Sequence, residues 1–319
     1  MDRLRLLRLV ILVAALACPS LALAAPDGPS AQVVATIDVG SYPSHVAVNP
    51  TTNRIYVTNY GVHSVSVIDG ATNTVAATIQ VQGGPTGIGV NPTTNTIYVA
   101  NQSSNSVSVI NGATNTVSST ITVGSRPFEV AVNPTTNTIY VSTYYSVTVI
   151  DGLNNVAIAS IGLSGNVYGI GINPTTNTMY VAQLSKLYVI SGATDLVTAE
   201  ILGQFASYGI GVNATTNTIY VTNNTLANSV SVVDGATNTV TRTIQIGTLL
   251  GGEAVNPMTN AIYVTDEDAN SVSIINGANN RIAGTVAVEN RPLYAAVNPI
   301  TNRVYVTNYL SNTVSVLNG

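Results

Sequence analysis

Two histidines, His45 and His63, a single cysteine, Cys18, and 14 Asp or Glu are the whole imidazole, thiol and side-chain carboxyl stock of this 319-residue chain. A metal centre of the usual kind draws three or four ligands from His, Cys and carboxylates, and two His with no second Cys do not supply a multi-histidine site. A Ser-His-Asp relay would have to use His45 or His63, and neither adjoins a Gly-x-Ser-x-Gly turn. What remains for acid-base work is one His with Glu129 or Glu253. In Asp266-Glu267-Asp268-Ala269-Asn270 the alternate Asp echo a Ca²⁺ loop, but the glycine and distant Glu of such a loop are missing. It reads as a solvated acidic loop. No catalytic residue, metal or cofactor is assigned from these residues.

The elements that must hold these groups come from an internal repeat. Asn-Pro-Thr-Thr-Asn followed by x-Ile-Tyr-Val recurs with small changes from Asn49, Asn91, Asn133, Asn173, Asn213, Asn256 and Asn298, at spacings of 42, 42, 40, 40, 43 and 42. Each unit divides into four short alternating or β-branched runs, in the first unit His45 to Val48 (a), Arg54 to Thr58 (b), Ser64 to Ile68 (c) and Thr74 to Val81 (d). Four strands in about 42 residues, seven times over, predict an all-β, seven-bladed propeller over residues 32–319. Pro50 presets a type I turn that Asn53 closes in the left-handed conformation, and Asp69 to Asn73 repeats this between c and d. Small residues recur at one strand-a position (Ala47, Gly89, Ala131, Gly171, Gly211, Ala254, Ala296), where blades crowd toward an axis. The seventh unit lacks its own strand d after Asn318-Gly319, and Gln32 to Gly40 has the pattern to supply it, closing the ring.

The N-terminus reads as a signal peptide over residues 1–24: Arg3, Arg5 and Arg8, then an apolar run from Leu9 to Ala17, then Ala22-Leu23-Ala24 before a mature start at Ala25 and a short linker, 25–31. Lipidation at Cys18 competes with this, against Pro19 and a Leu one place late for a lipobox. The apolar run is too short for a bilayer span of ~20 residues, so a chain exported to the periplasm, cell surface or medium is expected. Without residues 1–24 the formal charge moves from −4 to −6. No basic stripe is present to engage nucleic acid.

Strings of Tyr-Val-Thr-Asn at Tyr56 to Asn59, Tyr220 to Asn223 and Tyr305 to Asn308, with variants at Tyr98 and Tyr263, resemble the signature of the YVTN family of β-propeller repeats. The resemblance covers every blade and implies an exported protein of surface-layer type. Related propellers include lactonases, antibiotic lyases and haem-binding domains, which makes a lyase or lactonase-type hydrolase in the central funnel the alternative to a non-catalytic binding or scaffold protein.

Where a site lies follows from the repeat itself. The a–b and c–d hairpins share one face and are nearly constant; the b–c and d–a connections share the other and vary. Seven of 16 Tyr are repeat tyrosines, and eight of the other nine fall in or beside the variable connections, as do both Phe and both His. The ligand-binding candidates there are Tyr42, His45, His63, Phe128, Tyr144, Tyr145, Tyr168, Tyr208 and Tyr294, with Arg126, Glu129 and Arg291. Aromatics gathered on one face suit recognition of a cell-surface glycan or protein, or else plug gaps between blades. Glu253 stands where other units carry Val, Ile or Ala. A carboxylate there must find a partner, shift its pKa or mark a strand slip, and Gly251-Gly252 points to the slip.

Overall fold

The computed structural model describes residues 31–203, 205, 208–223 and 228–319. The segment read as a signal peptide, with Cys18 and the expected cleavage site, and nearly all of the expected linker lie outside the described residues. Seven four-stranded antiparallel sheets form the blades, each in the order a-b-c-d. Blade 1 comprises Pro43–Asn49, Arg54–Asn59, Ser64–Asp69 and Thr74–Gln80, with strands a to c a residue or two longer than predicted at an end and strand d one residue shorter.

Blade 7 is completed by the N-terminal strand. Val33–Asp38 pairs antiparallel with Thr313–Asn318, placing Ile37 opposite Val314 and Thr36 opposite Ser315. It also reproduces the bulge found between strands c and d of the other blades, between Val33 and Ala35 here and between Val67 and Ile68 in blade 1. A bulge adds twist, so the borrowed strand follows the same curvature as a native one.

The apolar core lies between blades, in seven clusters, one per interface. Ile37, Tyr305, Val314 and Val316 of blade 7 pack on Val46, Ile55, Val57 and Ile68 of blade 1. Each repeat tyrosine is essentially unexposed, and two of them reach the c–d turn of the next blade: Tyr98 donates to Asn155 Oδ1 at 3.0 Å and Tyr220 to Asn280 Oδ1 at 3.1 Å. Burial pushes the Tyr98, Tyr140 and Tyr220 phenols up to about 12.

The constant face carries a belt that turn propensity alone does not predict. The first Asn of each Asn-Pro-Thr-Thr-Asn string accepts N–H groups of its own turn, as in Thr51 to Asn49 at 3.1 Å. Its Nδ2 then donates to the last Asn of the next blade's string, from Asn49 to Asn95 at 2.7 Å onward round the ring to Asn298 and Asn53 at 2.8 Å. Those last Asn are left-handed, Asn53 with φ 53°, as expected.

Candidate functional site

On the variable face, the strand-a position four residues before the repeat Asn reaches the axis first. Its occupants are His45, Gly87, Glu129, Gly169, Gly209, Gly252 and Tyr294. Four blades withdraw their side chains there, and three fill the space. The His45 ring stacks on Tyr294 with centroids 3.5 Å apart, and its Nε2 lies 3.0 Å from Glu129 Oε2. The Tyr294 ring lies over Gly252, where a Cβ would come within 2.4 Å of it. Its hydroxyl donates to the Tyr208 carbonyl at 2.8 Å. Burial holds the Tyr294 phenol well above its ordinary value, reinforced by Glu129 and Glu253 nearby.

His45 is therefore no loop residue open to ligand. It lies in strand a, 2% exposed, with Nδ1 bonded to Ser44 Oγ at 2.8 Å and Nε2 turned to Glu129. Nδ1 is hydrogen-bonded, and Nε2 is buried against the Glu129 carboxylate without a hydrogen bond to it. His45, Glu129 and Tyr294 form a polar plug across the mouth of the axis, so the gap-filling expectation describes Tyr294.

Glu253 adjoins this plug, and the expected strand slip is not there. Glu253 pairs in register with Val264, as Val46 does with Val57 and Ala295 with Val306. The irregularity before it, from Leu250 to Glu253, recurs in blade 1 from Pro43 to Val46, so Gly251-Gly252 introduces nothing new. The carboxyl is instead partnered across the blade interface: Oε1 accepts the Gly211 N–H at 2.7 Å, and the Thr222 side chain adjoins it. Gly209 and Gly211 make the room, since a Cβ on either would come within 3.0 Å of the Glu253 side chain. Burial pushes this carboxyl up to about 8, with the Gly211 and Thr222 bonds opposing the shift.

Outward from the plug, Phe128 has His45 edge-on at 5.6 Å on one side and Tyr208 at 5.7 Å on the other. Tyr208 meets Tyr168 at 5.7 Å, and Tyr144 closes the rim. These four rings, with Arg126, Gln102 and Asn166, enclose an open cavity of about 330 Å³ between blades 2 and 5. Asn166 Nδ2 donates to the Tyr168 hydroxyl at 3.3 Å. Burial raises the Tyr208 phenol. Tyr145 packs against Tyr144 at 4.3 Å but is 57% exposed and lies outside the cavity lining. Gln102 and Asn166 were missed in the sequence because single amides in polar loops carry no signal until the columns of the repeat are compared.

The remaining candidates form a ring of equivalent stations. Seven residues before the repeat Asn stand Tyr42, Gly84, Arg126 and Arg291, all left-handed, with φ 55°, 66°, 51° and 56°. The N–H of each is taken by a b–c residue of the preceding blade: Asn312, His63, Asn105 and Asn270, at 2.8–3.1 Å. His63 thus does through Nδ1 what Asn does elsewhere, and its place in the fold accounts for it without a ligand. Tyr42 stacks on Tyr309 at 5.0 Å, and Arg291 sits over the same Tyr309 ring at 5.4 Å.

The acidic loop spends its carboxylates separately. Asp266 accepts Thr248 N and Oγ1 at 2.9 and 3.0 Å and Ala269 N at 3.1 Å, while buried Glu267 pairs with Arg291 Nε at 2.9 Å. Neither is available to the Ca²⁺ geometry the spacing echoed.

No protein-family model matches the sequence, and no curated protein does, so the likeness to the YVTN repeat rests on the strings themselves. Among solved structures, the chain is similar to one from Kuenenia stuttgartiensis described as hydrazine synthase. That likeness has a TM-score of 0.79 at 20% identity, covering 87% of this chain and 96% of the other. At that identity it shows the fold alone: a seven-bladed, four-stranded β-propeller.

Proposed function

We propose that this protein is an exported, non-catalytic binding propeller of the cell envelope, whose variable face takes a glycan in the cavity walled by Phe128, Tyr144, Tyr168 and Tyr208. The observation that carries this reading is the convergence of four rings from three blades on one cavity, on the face where the repeat is free to vary. Its volume of about 330 Å³ falls at the small end of the ~300–1,000 Å³ range of small-ligand sites, suiting a sugar residue or two. The rings offer apolar faces at low entropy cost, and the amides of Gln102 and Asn166 offer hydrogen bonds to hydroxyls. The lyase or lactonase alternative draws less support. Its one acid-base pair, His45 with Glu129, lies in the axial plug, with His45 only 2% exposed.

Retention of the purified protein on immobilised envelope polysaccharide tests the binding reading. Tyr168→Ala with Tyr208→Ala is expected to weaken retention about tenfold or more, while Tyr145→Ala, outside the cavity, leaves it unchanged. Undiminished retention by the double variant overturns it. Export is tested by expressing the whole chain with its leader: a mature protein starting at Ala25 in an extracytoplasmic fraction is expected, and uncleaved protein retained inside the cell argues against it.

A further inference from the structure

The repeat places two arginines in one setting, and the two settings differ at a single decisive residue. Arg126 and Arg291 both stand seven residues before the repeat Asn, both left-handed, each over a tyrosine four residues after the repeat tyrosine of its own blade. Arg126 Cζ is 5.7 Å from the Tyr144 centroid and Arg291 Cζ 5.4 Å from that of Tyr309. The neighbouring blade supplies a third residue, again four after its repeat tyrosine. For Arg291 this is Glu267, whose buried carboxylate holds the guanidinium at 2.9 Å. For Arg126 it is Gln102, a neutral amide.

Among the described residues, no carboxylate lies within ion-pair reach of Arg126. Glu129, three residues on, is turned to His45. The exposed Arg126 guanidinium lines the aromatic cavity instead. One station thus carries its own carboxylate, and the other holds a guanidinium and an amide beside a cavity.

We propose that the Arg126 station receives a carboxylate from the ligand, in the way Arg291 receives that of Glu267, and that the ligand is accordingly an acidic sugar of the hexuronate type. This rests on the glycan reading above. The sugar ring lies against the Tyr168 and Tyr208 side of the cavity, and its carboxylate meets Arg126 with the Gln102 amide as a second donor. A charge-assisted bond at a planar guanidinium favours a carboxylate over the uncharged CH₂OH of the parent hexose.

Isothermal titration with glucuronate, glucose and acetate at low salt tests this. Glucuronate is expected to bind at least about tenfold tighter than glucose, and tighter than acetate. Two variants should collapse the glucuronate-to-glucose ratio to about one. Arg126→Gln removes the cation, and Gln102→Glu gives the station an internal carboxylate as at Arg291. Both positions lie at the surface rim, so thermal melts close to the wild type are expected of each. Equal affinity for the two sugars in the wild type, or a ratio that survives both variants, overturns the proposal. Acetate binding as tightly as glucuronate overturns the sugar assignment. If polysaccharide retention persists without uronate preference, this inference fails and the glycan reading stands; if retention also is lost on no cavity variant, both fail.

Discussion

At a position that Val or Ile fills in five blades, Glu253 keeps its carboxyl buried by staying protonated. Its pKa in the fold, about 8, is raised from the ordinary 4.5. Below 4.5 the folded and unfolded chains both hold the proton, and the group does not penalise folding. As pH rises from 4.5 to about 8 the unfolded chain releases the proton first, so stability falls, levelling off above 8. Glu253→Gln keeps an oxygen for the Gly211 N–H and removes the titration. The melting temperature of the wild type is expected to drop relative to the variant between pH 5 and pH 8, by the equivalent of a few kcal/mol. Parallel pH profiles for the two proteins would refute the buried-acid account. Arg126 presents the opposite logic: an exposed charge costs nothing to keep, so it remains available to a ligand.

Among the elements, the N-terminal strand differs most from its surroundings in sequence distance and least in geometry. Its pairing with Thr313–Asn318 spans nearly the whole chain, yet it has the same bulge as the local c–d pairs. Ile37, 5% exposed, faces the interface between blades 7 and 1, while Val33 is 38% exposed near the strand's other end. Ile37→Asp therefore buries an unpaired carboxylate in the closing interface, with an expected cost of about 3 kcal/mol or more. Val33→Asp is expected to change stability by less than about 0.5 kcal/mol. Urea denaturation compares them; equal effects would mean that the strand does not close the ring. The turns are as strict as this strand. Asn at the end of each Asn-Pro-Thr-Thr-Asn string takes the left-handed bend and also accepts the belt bond from the neighbouring blade, so one residue type serves two levels of structure.

Across the whole molecule, closure makes the ends neighbours and the axis a meeting place. The Asn belt returns from Asn298 to Asn53, and buried Thr307 Oγ1 donates to the Ser44 carbonyl at 2.8 Å, as Thr58 does to Thr86 and Thr265 to Leu293, so blades 7 and 1 are joined as neighbouring blades are elsewhere. The blade count, strand order, left-handed turn positions and N-terminal strand exchange were all legible in the sequence. Each depends on local dihedral preference, period-2 burial or the repeat length, and these are written along the chain in order. The sequence also located the aromatic face, because constant and variable positions separate by connection. What it left undecided was the use of each side chain. His45 and Glu129 are 84 residues apart, and no spacing rule joins them; they meet because a closed ring brings one register of every blade to a common axis. The same closure buries His45 against the Tyr294 ring, holds Glu253 in register against a neighbour's backbone, and brings Arg291 to Glu267 while, among the described residues, no carboxylate pairs with Arg126. Burial and charge pairing depend on which blades are adjacent in space, and only the tertiary structure decides that.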